Sequence, residues 1–288
     1  MGQSLKKANL NHRRHHYTLV TDRHRSIFEE FECRFPDICD LPPELALIVL
    51  SNLNATELCL AACVNQFWAS LAKDEMLWEG LCRATWGCVS AYRKHHGNSF
   101  SFRKLYLDLD EGTLTFNADP ELGMQYLLNK EIVDNNALSI AQFIHTTNRL
   151  DRKQVRIFVD NRRDVLDELI NLHNYANKFL ANALRLFFSN IDAPSQRSNE
   201  LQTLIEKFAS RFIDCNPSCG LTAETIYVLC YSLILLSVDL TSPHVKNKMS
   251  KREFIRNVRR AAVHVDDEFS GHLYDNIYLV GHIAPQRW

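Results

Sequence analysis

Apolar positions along this chain recur mainly at helical spacing, and the Asn-Gly or Asp-Gly turns that mark short hairpins are absent. The most informative run is Thr222 to Asn257. Between Ile226 and Val238 apolar residues fall on every side of a helix without a clean amphipathic stripe. A helix of that kind is either buried or offers one face to a partner. The run reads as too short to cross a bilayer, which takes about 18 or more apolar residues. Pro243 breaks the pattern, and a basic stretch follows: Lys246, Lys248, Lys251, Arg252, Arg256, Arg259 and Arg260, interrupted by Glu253. Such a run is either a solvated face or a surface that steers an acidic protein or an anionic membrane.

Helix signals begin at Leu41-Pro42-Pro43-Glu44-Leu45, where proline is tolerated in the first turn. Leu45, Ile48, Val49, Leu50 and Leu53 follow at helical spacing. Asn54 with Glu57 predicts a capping box for a second helix through Leu58, Ala61, Ala62 and Val64. A third segment holds Trp68, Leu71 and Ala72, and a last turn holds Leu77, Trp78 and Leu81. Three short helices bury little surface, so a partner is expected to complete them. Residues 87–111 read as a linker. Beyond them, Asp119-Pro120 predicts a cap followed by a first-turn proline, and Ser139 caps the segment with Ile140 and Phe143. A longer helix carries Val165 to His173, another starts at Asn182 or Ala183, and Ser250 with Glu253 forms a second capping box.

Composition supports an all-α fold in one large or two modest domains: 288 residues, 46% hydrophobic, with only 9 glycines and 8 prolines. A net charge of −1 argues against a dedicated nucleic-acid binder. Nine cysteines without a secretory signal point to a reduced, cytoplasmic setting. Cys59, Cys63 and Cys230 read as small core residues. Cys59-x3-Cys63 and Cys215-x3-Cys219 lack the second ligand pair that a zinc site needs, so no metal and no cofactor are expected. Residues 1–25 carry Lys6, Lys7, Arg13, Arg14, Arg23 and Arg25 against one acid, Asp22, and make 1–34 a basic segment. It reads as solvated and disordered, with peripheral membrane contact as the other use of its charge. Gly2 invites acylation, but Lys6 stands where the myristoylation pattern takes Ser or Thr.

Leu41-Pro42-x-Glu44-Leu45, the aliphatics through Leu53, Leu58, Leu60 and Val64, then Trp68, Leu71 and Asp74-x-x-Leu77-Trp78 resemble an F-box motif. The resemblance implies docking to a Skp-type adaptor of a cullin–RING ubiquitin ligase. Leu41, Pro42, Glu44, Leu45, Ile48, Leu53, Leu58, Val64 and Trp68 are the implied adaptor-binding residues. Phe67 departs from the motif, which commonly has a basic residue there.

The larger part resembles a Sec7 domain, the all-α fold of exchange factors for Arf-family GTPases. The residues that carry this are Phe116-Asn117-x-x-Pro120-x-x-Gly123-Met124-x-Tyr126-Leu127, Ala183-Leu184-Arg185-x-Phe187, Cys215-Asn216-Pro217, and the stretch from Tyr227 through Asp239-Leu240, Val245 to Met249 and Asn257. The expected organisation is therefore a small three-helix F-box module over 35–86, the linker, a Sec7-like multi-helix domain over 112–281 and a tail over 282–288. The resemblance implies an Arf-family small GTPase as partner. It assigns Tyr227, Tyr231, Ile234, Ser237, Asp239, Lys246, Asn247, Lys248 and Met249 to the GTPase-binding face, with core packing the other reading of Tyr227, Tyr231 and Ile234.

The same resemblance implies a glutamate that invades the nucleotide site and repels the phosphates. Here that position falls on Gln196 or Arg197, depending on the side from which the loop is counted. Gln196 is neutral, and Arg197 would attract phosphate. Asp192 and Glu200 are the nearest acids, each displaced by several residues. Ser237 also stands where the family has asparagine. The expected activity is accordingly binding without efficient exchange, as the substrate-recognition subunit of an SCF-type ligase. Exchange of guanine nucleotide on an Arf GTPase is the alternative.

Overall fold

The computed structural model describes residues 38–94, 100–192 and 198–283, and all regular structure among them is helical. The expected disordered segment over 1–34 lies outside the described residues. The first module is built from α1 (Pro43–Leu50), α2 (Ala55–Ala61), α3 (Gln66–Leu71) and α4 (Glu75–Thr85). Asn54 and Glu57 close the capping box, with Glu57 N–H donating to Asn54 at 3.0 Å and Asn54 N–H to Glu57 at 2.9 Å. Asn65 caps α3 and Asp74 caps α4. The expected last turn is thus an 11-residue helix, and the module has four helices. Ala46, Leu50, Leu58, Leu71, Leu77 and Trp78 form its small core. Trp78 donates its indole N–H to the carbonyl of Ala72 at 2.8 Å, which removes the cost of burying that donor.

The second module contains α5 (Phe102–Ala118), α6 (Pro120–Asn129), α7 (Ala137–Thr146), α8 (Arg152–Asn161), α9 (Arg163–Leu172), α10 (Leu180–Asn190), α11 (Ser198–Cys215), α12 (Ala223–Thr241), α13 (Lys251–Ala261) and α14 (Asp267–Val280). Asp119 caps α6 and Pro120 opens it, giving a sharp reversal after α5. Gly123 is required there, because a Cβ would lie 2.2 Å from the backbone nitrogen of Phe116. The cap of α7 is Asn136, which accepts the Ser139 N–H at 2.8 Å; Ser139 lies inside the helix. The helix expected from Val165 to His173 is α9, which starts at Arg163 and stops at Leu172. The one expected at Asn182 or Ala183 starts at Leu180.

Residues 102–111, expected as linker, form the first half of α5. Their charged residues line the outside, while Leu105 and Leu109 are buried. Tyr106 packs edge-on against Trp78 of the first module and against Trp86 of the second, with ring centroids 5.5 and 5.1 Å apart. Glu75, at the start of α4, accepts the Phe102 N–H at 2.5 Å and the Ser101 hydroxyl at 2.9 Å, capping α5 from the neighbouring module. The two modules are therefore joined through packed helices.

Candidate functional site: two exposed apolar faces

On the first module Leu45, Ile48 and Val49 stand exposed along one side of α1, and Leu60 and Val64 on and just after α2. Met76, at the start of α4, is 76% exposed. Residues i, i+3 and i+4 share a helix face, so α1 buries Ala46 and Leu50 and leaves the others outward. Pro42 and Glu44 are also exposed, while Leu41, Leu53 and Trp68 are half-buried against the small core. Leu58 is a core residue, so the expectation that it contacts an adaptor is corrected: its position on α2 faces inward with Ala61. Val49, Leu60 and Met76 belong to the exposed set instead, and the same helical spacing identifies the first. Cys59 on α2 and Cys63 just after it are exposed, against the expectation of core residues, whereas Cys230 is buried.

On the second module the apolar helix is α12. It measures 19 residues and is long and apolar enough for a membrane span by length and composition, longer than the sequence run suggested. One side of it, with Ile226, Leu229, Cys230, Leu233, Leu236 and Ser237, is buried against α10, α11, α13 and α14. The other side carries Tyr227, Tyr231 and Ile234, all half-buried, with Leu235 at 58% and Val238 at 41% exposure. These five fall within about 100° of one another at 100° per residue, giving a continuous apolar stripe. Leu235 and Val238 were missed as site residues, because a uniformly apolar helix gives no contrast from which to read its outer face.

Ser237 does not belong to that stripe. It is fully buried, and its hydroxyl oxygen accepts the Ile283 N–H at 3.0 Å. The expectation that it contacts a GTPase is therefore corrected: the hydroxyl is spent on the C-terminal segment. The loop after α12 is held by its own polar groups. The Asp239 carboxylate accepts the Met249 N–H at 2.7 Å, and Lys248 donates to the carbonyls of Asp239 and Ser242. Tyr274 donates to the Met249 carbonyl at 2.9 Å. Asp239, Lys248 and Met249 thus shape the loop, and Lys246 and Asn247 stand exposed on it. Leu240, Lys248, Met249, Tyr274 and Tyr278 line a shallow cavity of about 360 Å³ beside it.

Gln196 and Arg197 lie outside the described residues. Glu200, on the first turn of α11, has its carboxylate 3.9 Å from the Arg156 guanidinium and 3.7 Å from that of Arg163. Arg156 is itself buried and also pairs with Asp160 at 2.6 Å. A carboxylate facing two guanidiniums has its field largely neutralised. Asp192 is half-buried at the end of α10. Among the described residues no group of three His, Cys, Asp or Glu side chains is placed to hold a metal ion.

Comparison with known proteins agrees with this two-part architecture. Residues 38–84 match the F-box-like family and residues 106–279 match the Sec7 domain family. F-box only protein 8 of Mus musculus is 60% identical over 248 residues, which is 85% of this chain and 77% of that protein, and the Homo sapiens protein matches equally. Brefeldin A-inhibited guanine nucleotide-exchange protein 1 of Homo sapiens is 35% identical over 177 residues, 59% of this chain and 10% of that protein. Among solved structures, the Sec7p catalytic domain superposes with a TM-score of 0.54 at 30% identity, covering 59% of this chain and 95% of that one. A structure of ARF1-GDP bound to a Sec7 domain complexed with brefeldin A shares the fold at a TM-score of 0.56 and 24% identity, over 62% of this chain and 92% of that one. With an F-box-like segment, a Sec7 domain and this identity over most of its length, the chain belongs to the F-box only protein 8 family.

Proposed function

We propose that this protein is the substrate-recognition subunit of an SCF-type ubiquitin ligase, and that its Sec7 domain holds an Arf-family small GTPase without efficient nucleotide exchange. The observation that carries the reading is the pair of unpartnered apolar faces, one on each module of a chain whose modules pack together. The α1–α2 face has the size and exposure that a Skp-type adaptor, and through it a cullin–RING ligase, would cover. The α12 stripe with its adjoining loop is the face for the GTPase. Ubiquitin transfer belongs to the partners, and the chain contributes placement. Its working compartment in this reading is the cytoplasm, with contact at membrane surfaces.

Absence of exchange is supported by the substitutions at Gln196 and Arg197 in the sequence and by the pairing of Glu200 with Arg156 and Arg163. A second reading, exchange on an Arf GTPase, is favoured by the identity to the guanine nucleotide-exchange protein. Affinity capture of the adaptor tests the first half. Leu45→Asp or Ile48→Asp places a carboxylate on the exposed face without entering the core. Either variant is expected to lose adaptor capture while keeping its thermal stability. Capture that survives both substitutions contradicts the F-box role.

A further inference from the structure

Helix α13 carries a row of cations that the proposed GTPase face does not use. Arg252, Arg256 and Arg260 are spaced four residues apart, so they lie within about 80° of one another along roughly 12 Å of helix. Phe254 and Val258 are buried on the opposite side, which places the three guanidiniums at the solvent pole of the helix. All three are exposed and have no ion-pair partner among the described residues. The basic residues that flank the row are, by contrast, paired. Arg259 bonds to Asp267, and Lys251 donates to Asp275 at 2.6 Å, both across to α14. The one acid on the helix, Glu253, is tied to the N-cap by Ser250, whose N–H and hydroxyl donate to it at 2.9 and 2.8 Å. Lys246 is exposed in the loop before the helix, and Val263, 75% exposed, follows its C-terminal end.

We infer that this face of α13 docks on an anionic lipid bilayer. Protein interfaces concentrate their affinity in apolar or aromatic anchors seated in pockets, and the arginine row is a convex ridge of charge with the exposed Val263 following its C-terminal end. A bilayer surface asks for no pocket. It rewards each accessible cation, and an aliphatic side chain at the edge adds interfacial contact. The charge is also local: the whole chain is near neutral, so the row is an asymmetry between faces.

The test is co-sedimentation of the full chain with vesicles of phosphatidylcholine alone and of phosphatidylcholine with phosphatidylserine. Binding is expected only to the anionic vesicles and is expected to fall as salt rises. Each arginine contributes about a fivefold factor in affinity, so Arg256→Gln weakens binding about fivefold and the triple variant Arg252→Gln, Arg256→Gln, Arg260→Gln on the order of a hundredfold. The triple lysine variant keeps the charge and is expected to keep binding. Because these side chains are exposed and form no ion pair among the described residues, melting temperature should be unchanged in all of them. Failure of the full chain to bind anionic vesicles overturns the inference. So does undiminished binding by the triple glutamine variant, which would move the charge contact to another segment such as the basic N-terminus. Loss of GTPase capture with intact vesicle binding in that variant would also overturn it and reassign the row to a protein partner.

Discussion

Tyr106 stands edge-on to Trp78 with their ring centroids 5.5 Å apart, which joins the second module to the core of the first. Its other contact, Trp86, donates its indole N–H to Thr113 at 2.9 Å and is fully buried. Edge-to-face pairs add about 0.5–1.5 kcal/mol beyond the area they cover. Tyr106→Ala is therefore expected to cost about 2–3 kcal/mol, seen in thermal unfolding as a lower midpoint and as separation of one transition into two. Tyr106→Phe keeps both ring contacts and should cost about 1 kcal/mol or less. A single unshifted transition in Tyr106→Ala would contradict the coupling of the modules.

Ser237 is structural in this account. Ser237→Ala orphans the Ile283 N–H and is expected to cost about 1–2 kcal/mol, measured by chemical denaturation. Ser237→Asn overfills a buried position at about 1–3 kcal/mol. Neither change should alter capture of a GTPase by the folded protein. Unchanged stability together with weakened capture would return Ser237 to the binding face.

His173 makes stability depend on pH. Burial, together with the nearby His145 ring and Arg211, pushes its pKa below the ordinary histidine value, against a partial opposing effect of the Leu169 carbonyl. The ring bonds that carbonyl through Nδ1 at 2.7 Å, and its buried Nε2 has no hydrogen-bond partner among the described residues. The unfolded chain takes up a proton as pH falls below about 6.5 while the folded chain resists it. The contribution is thus present above that value and is lost as pH falls toward the lowered folded-state pKa. His173→Phe should flatten the decline in unfolding free energy between neutral and mildly acidic pH. An identical slope in the variant would contradict this.

Much of the fold is legible in the sequence where a local signal has a local consequence. The Asn54–Glu57 and Ser250–Glu253 capping boxes form as their spacing predicts, and Asp119-Pro120 opens α6. Legibility fails where a residue answers to a distant neighbour. Residues 102–111 read as linker because five charges interrupt them, yet Leu105 and Leu109 enter the larger core while Phe102 and Tyr106 pack against both cores. Ser237 reads as a surface position because its hydrogen-bond partner is 46 residues away. Leu58 and Leu60 are equally apolar, and only the rotation of α2 about the small core decides which one is free. Glu200 could be placed in sequence, but not its pairing with Arg156 and Arg163 from two other helices.

Release of a fluorescent guanine nucleotide from an Arf-family GTPase, followed with increasing full-length chain, tests the central proposal most directly. The account predicts that the GTPase is captured through the α12 stripe, that Val238→Asp abolishes capture, and that the release rate stays at its spontaneous value. Accelerated release that disappears in Glu200→Ala would contradict it, since that carboxylate would then have to leave Arg156 and Arg163 and act on the nucleotide.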